Sequence, residues 1–296
     1  NNTDDINDDI VELNNINIEI QKTPLVKNPV HHYSILNSSN GKIGYLMYNQ
    51  FVSNYDQYLE SIFSEYKSNS VNELILDLRY NPGGSINSAL ILASLITGQF
   101  ENDIFNTEEW NTEIQNYWIN NNPEYLVNRF LSLESSLNLN RVFILTTRSS
   151  ASASELIINC LDPYIDVIQI GTTTYGKYQA SVTLYDSENF SNQNINPSHN
   201  YAIQPLVLKT LNVLGITDYF NGINPEYDFE EKVYNMGIIG DLNEPMLNFA
   251  MGLINSRAEI NIQPETLEFV DDNFKFDFLK REMYIENKEI TIKDGN

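Results

Sequence analysis

Strands and helices alternate along this chain, an order that places it in the α/β class with parallel pairing and right-handed crossovers. Tyr55, Tyr58, Leu59, Ile62, Phe63 and Tyr66 follow steps of three and four, the period of an amphipathic helix. Leu74-Ile75-Leu76-Asp77-Leu78 is a short apolar run, as expected of a strand buried on both faces. Asn81-Pro82-Gly83-Gly84 breaks that run, and Ser85 to Thr97 resumes as an apolar helix. The same grammar returns with a strand at Val142 to Leu145, a helix from Ala153 to Leu161 and a strand at Val167 to Ile170.

The remaining stretches follow in order. Val11 to Ile20 alternates loosely and suits a strand, and Thr23 to Val30, with Pro24 and Pro29, reads as an extended connector. The compact body is expected to begin near Ile43, with a strand over Gly44 to Met47. Gln99 to Asn140, which holds Trp110 and Trp118, is an irregular or helical excursion, and Ser187 to His199 is a polar loop. Phe274, Phe276 and Phe278 alternate and predict further strands near the end.

Composition removes several function classes. The 296 residues carry 17 Lys and Arg against 40 Asp and Glu, a formal net charge of −23. Such an excess of carboxylates repels phosphate backbones and anionic lipid, so no nucleic-acid partner is expected. Cys160 is the sole cysteine, which excludes a disulfide within the chain; its apolar flanks make it a core residue. No apolar run approaches the ~20 residues of a membrane span. The acidic, polar stretch Asn1 to Ile10 does not read as a signal peptide. Neither an H-E-x-x-H helix nor a calcium-loop pattern occurs, so neither a metal nor a cofactor is expected.

Chemistry concentrates in three segments. Ser149-Ser150-Ala151-Ser152-Ala153-Ser154-Glu155 lies between a strand and a helix. Ser152-x-x-Glu155 is a capping box, and taken alone the motif needs no other explanation. A hydroxyl at a helix N-terminus nevertheless sits beside backbone N–H groups able to stabilise an oxyanion. Gly171 to Lys177 begins like a phosphate-binding loop, but Tyr178 replaces the required Ser or Thr and a strand follows in place of a helix. Taken alone, Lys177 is a solvated lysine in a glycine turn. Gly83-Gly84 allows a tight turn and close approach of backbone to a ligand. All three segments fall at the same end of their strands, where sites in α/β sheets lie. His31, His32 and His199 have no distinctive motif around them and suit surface or packing roles.

L-I-L-D-L-R-Y-N-P-G-G, S-A-S-A-S-E and T-Y-G-K, in that order, resemble the C-terminal processing (tail-specific) serine peptidases. The 25 residues from Ser152 to Lys177 match that family's serine-to-lysine interval, and Ala202-Ile203-Gln204-Pro205 and Gly222-Ile223-Asn224-Pro225 resemble its downstream segments. The resemblance implies a crotonase-like (ClpP-like) α/β spiral that hydrolyses peptide bonds near protein C-termini, with protein or peptide substrates. It makes Ser152 the nucleophile and Lys177 the general base. The oxyanion hole would be the N–H of Ala153 with one from Gly83 or Gly84. A bacterial cell-envelope location, periplasmic or lipid-anchored, is implied by likeness alone.

Two features depart from the family pattern. Many members carry Gln four residues after the lysine to orient it; here Ser181 stands there. Glu155 matches a position sometimes counted with the catalytic set, although a carboxylate beside Lys177 would favour the charged amine, which makes capping its preferred role. Asp162 is a weaker candidate still. A peptide-binding PDZ domain usually precedes the core and needs about 80–100 residues. The expected organisation is therefore a linker, or the last strands of such a domain, over 1–36; a catalytic core over 37–257; and a C-terminal β extension over 258–296. The competing readings are a peptide-binding module on the same scaffold, and an esterase or acyltransferase using the same pair. As a base, Lys177 must fall from ~10.4 to ~7–8, and burial has to supply that against the chain's negative field.

Overall fold

The computed structural model describes residue 21, residues 27–255 and residues 282–285. The strand expected over Val11–Ile20 and the alternating Phe274, Phe276 and Phe278 lie outside the described residues. In chain order the first elements are β1 (Val30–Ser38), β2 (Gly41–Tyr48), α1 (Asp56–Ser68), β3 (Val71–Asp77), β4 (Gly84–Ser85) and α2 (Ile86–Ile96). The excursion resolves into β5 (Ile104–Trp110), α3 (Thr112–Asn121) and β6 (Val127–Arg129). Then come β7 (Arg141–Thr146), α4 (Ala153–Leu161), β8 (Asp166–Gly171), β9 (Gln179–Val182), β10 (Leu184–Tyr185) and β11 (Ala202–Ile203). The last are β12 (Leu206–Leu211), β13 (Tyr227–Asp228), α5 (Pro245–Asn255) and β14 (Met283–Ile285).

Two six-stranded sheets make a mixed α/β fold. The first runs β1-β2-β3-β7-β8-β13, antiparallel at β1/β2 and parallel from β2 onward. Its central strands are buried on both faces, as their unbroken apolar runs require. Leu46, Leu74, Leu76, Val142 and Ile144 join α1, α2 and α4 in the larger core, while Tyr45, Ile75, Phe143 and Leu145 meet α5 on the opposite face. The second sheet runs β4-β14-β9-β12-β5-β6, parallel across β14 and antiparallel beyond β9. Phe51 bridges the end of the β2 segment to Gly84 and so joins the two sheets.

The compact body begins at Val30, earlier than the pattern around Ile43 suggests. β1 is an edge strand paired along its length with β2, and its polar His31-His32 start hides the strand signal. Met283–Ile285, in the expected C-terminal extension, pairs on both sides within the second sheet.

Candidate active site

Three turns leave the same end of the adjacent parallel strands β3, β7 and β8, and they hold the predicted residues. The first is Leu78 to Gly84. Leu78 N–H donates to the Leu145 carbonyl at 2.9 Å, fastening this turn to β7. Asn81 is its hub. The Asn81 amide donates to the Tyr48 carbonyl at 2.8 Å, while its side-chain oxygen accepts the Gly83 N–H at 2.9 Å. Its main-chain carbonyl reaches across to the second turn, accepting from Ala151 N–H at 3.1 Å and the Ser154 hydroxyl at 3.0 Å.

The second turn delivers Ser152, at φ 63° and ψ −112°, immediately before α4. A non-glycine residue held there stores about 1–3 kcal/mol of strain, a cost usually met at functional elbows. Ser152 is fully buried, and its Oγ has no hydrogen-bond partner among the described residues. Ser152 and Glu155 stand in the capping-box arrangement, but only the Glu155 half is a well-formed bond: its carboxylate accepts Ser152 N–H at 2.8 Å. Ala153 is the first residue of α4, where N–H groups have no partner within the helix.

The third turn is bound to the second through Glu155. Its Oε1 accepts from the Thr174 hydroxyl at 2.6 Å and Gly176 N–H at 2.5 Å, and its Oε2 from Lys177 N–H at 2.8 Å. That Oε2 also holds Ser152 N–H, so the backbone nitrogens of Ser152 and Lys177 lie no farther apart than twice 2.8 Å. Glu155 therefore caps the helix and also clamps the lysine loop. Burial pushes its carboxyl above the ordinary value, against the four donors that favour the anion. Burial likewise holds the Lys177 amine below its ordinary value, opposed by Glu282 and Glu155. Among the described residues, local burial outweighs the negative charges around this lysine.

The other candidates take different places. The Ser181 hydroxyl donates to the Met283 carbonyl at 3.3 Å, so its bond runs along the sheet to β14 and does not serve the lysine. Gly83 and Gly84 have φ of 113° and 138°, values that suit glycine. A methyl on Gly83 would lie 2.7 Å from Ser152 Cβ and 2.8 Å from the Glu282 carbonyl oxygen. Asp162 sits at the far end of α4, beside a separate cavity of about 430 Å³. Cys160 is fully buried, and burial drives its thiol up, as befits a core residue. His199 meets Asp186 at 3.1 Å on an exposed loop, and His32 packs on Tyr45. After Lys177 the chain enters β9, and a phosphate-binding loop would require a helix there. The described residues contain no cluster suited to a metal ion and no helix long and apolar enough to cross a membrane.

Sequence reading did not single out Asn81, Thr174 or Glu282. Asn81 had a local signal as the residue that opens the N-P-G-G turn. Thr174 and Glu282 had none, because their partners lie far away in the chain.

The profile of peptidase family S41 matches residues 42–195, more than half of the chain and inclusive of all three turns. A CtpA-like serine protease of Staphylococcus epidermidis is 28% identical over 151 residues, covering 51% of this chain and 28% of that protein. A carboxyl-terminal-processing protease of Picosynechococcus is 25% identical over 161 residues, covering 54% of this chain and 35% of that one. This chain thus spans about a third of the length of these relatives. Among solved structures, an S41 protease of Bacteroides fragilis superposes with a TM-score of 0.66 at 29% identity, over 78% of this chain and 59% of that one. The photosystem II D1 C-terminal processing protease shares the fold, with a TM-score of 0.53 at 17% identity over 79% of this chain and 55% of its own. With the three motifs, the strand order and the matched profile in agreement, the chain belongs to peptidase family S41.

Proposed function

We propose that this chain is a serine endopeptidase acting toward protein C-termini, with Ser152 as nucleophile and Lys177 as general base. The observation that carries the reading is the shared Glu155 oxygen, which draws the two residues together from turns 25 positions apart in sequence. The neutral amine of Lys177 takes the Oγ proton as Ser152 attacks the peptide carbonyl. The Ala153 N–H receives the oxyanion together with the Gly84 N–H, since the Gly83 N–H already donates to Asn81. Asn81 accepts the Gly83 N–H and so holds that turn in place. The tetrahedral intermediate collapses as the proton passes to the leaving amine, and water then releases the acyl group by the reverse sequence. The crotonase-like spiral and a bacterial envelope location belong to the same proposal, the location drawing its support from the bacterial relatives.

A peptide-binding module is the second reading, favoured by the Ser181 bond to Met283 and by the full burial of Ser152. An active-serine phosphonate separates the two. The peptidase reading expects covalent labelling of Ser152 and loss of peptide hydrolysis in folded Ser152→Ala and Lys177→Ala. Hydrolysis that survives in both variants rules the assignment out.

A further inference from the structure

β14 fills the gap between β4 and β9, the two strands beside the proposed site. β4 carries Gly84 and Ser85, and β9 begins two residues after Lys177; the two are neighbours only through β14. Met283 stands opposite Gly84, Tyr284 opposite both Ser85 and Ser181, and Ile285 opposite Val182. Adjacent strands are spaced ~4.8 Å apart, so removing β14 leaves a slot about two spacings across, one strand wide. Both walls of that slot would present unpaired backbone N–H and C=O groups, the chemistry that captures an extended peptide by strand addition.

The occupant is fitted to the place. Met283 is fully buried in the larger apolar core, and Ile285 packs against the same cluster. The Glu282 carbonyl oxygen and Ser152 Cβ both press on the position a Gly83 side chain would take, so they are at most 2.8 plus 2.7 Å apart. The Glu282 carboxyl faces the Lys177 amine closely enough that each alters the other's proton affinity.

We infer that residues 282–285 are an intramolecular stand-in for peptide substrate: they fill the slot beside Ser152, and a peptide enters only when they leave. The pocket holding Met283 then selects an apolar side chain immediately after the carbonyl nearest Ser152. Calling the occupant a stand-in rests on the peptidase reading, but the slot itself is testable without hydrolysis.

The test uses the full chain carrying Ser152→Ala and a fluorescent peptide of sequence Glu-Met-Tyr-Ile-Glu, which repeats residues 282–286. Met283→Asp places a charge in the buried pocket, and Tyr284→Pro removes a ladder donor. Each, added to Ser152→Ala, is expected to tighten peptide binding by about tenfold, the gain from freeing a slot filled about nine-tenths of the time. A peptide with Asp in place of Met is expected not to bind. Unchanged or weaker binding in cooperatively melting variants overturns the inference and leaves β14 a structural strand. Loss of cooperative melting in both variants overturns it equally. Hydrolysis is read separately with Ser152 intact: tight binding by the Met283→Asp chain without cleavage keeps the slot and removes the peptidase.

Discussion

In its proposed role as base, Lys177 is useful for the same reason that it is costly to the fold. Burial disfavours its ammonium form, so the folded chain binds that proton less readily than the unfolded chain does. The cost is therefore fully present below the folded pKa and is relieved as pH rises from that value toward 10.5. Lys177→Met is expected to melt at a higher temperature than wild type at pH 7, with the gap closing by pH 10, while hydrolysis is lost. For wild type, kcat/KM is expected to climb through the lowered pKa, reaching half its plateau below 10.5. The closeness of the Ser152 and Lys177 turns was readable because their motifs are local and their spacing is distinctive. Glu155 was half readable. Its capping role follows from Ser-x-x-Glu, but its grip on Thr174, Gly176 and Lys177 joins residues 19 to 22 positions downstream, beyond any local pattern.

At the scale of an element, the turn from β3 to β4 is constrained by what it approaches. A side chain on Gly83 would collide with Ser152 and the Glu282 carbonyl and would also sit at φ 113°. Gly215 is a matched control, with φ 75° and nothing within 4 Å of its missing Cβ. Chemical denaturation is expected to show Gly215→Ala costing about 1 kcal/mol and Gly83→Ala about 2 kcal/mol or more, with peptide hydrolysis falling only in the latter. The first sheet was largely legible, because its strands are apolar runs bounded by helices of clear period. The second was not. Its strands range from two to seven residues, several half-exposed, and they pair across distances in sequence that composition does not register. β14 is the extreme case, with Met283 pairing to Gly84 nearly two hundred residues upstream.

Across the whole molecule, one buried cation ties the site to the far face of the first sheet. Arg79 is fully buried, gripping Asp77 at 2.7 Å, Glu231 at 2.7 Å and Glu244 at 3.0 Å. Glu244 in turn accepts from Leu247 N–H at 2.7 Å at the start of α5, while the Thr147 hydroxyl donates to the Arg79 carbonyl. The carboxylates outnumber their cation, and burial already pushes the Glu231 carboxyl up. Arg79→Met strands those charges and is expected to cost about 3–5 kcal/mol in urea unfolding. Arg79→Lys is expected to recover only part, since one ammonium cannot reproduce the forked contacts to Asp77.

The position of β14 also has a consequence for biosynthesis. A ribosome adds residues one at a time, so β4 and β9 emerge long before the segment that separates them. For seconds the nascent polypeptide exposes two facing β edges with nothing between them. Those edges are open to foreign chains until translation reaches Met283, and co-translational chaperones would find their earliest footing on that pair.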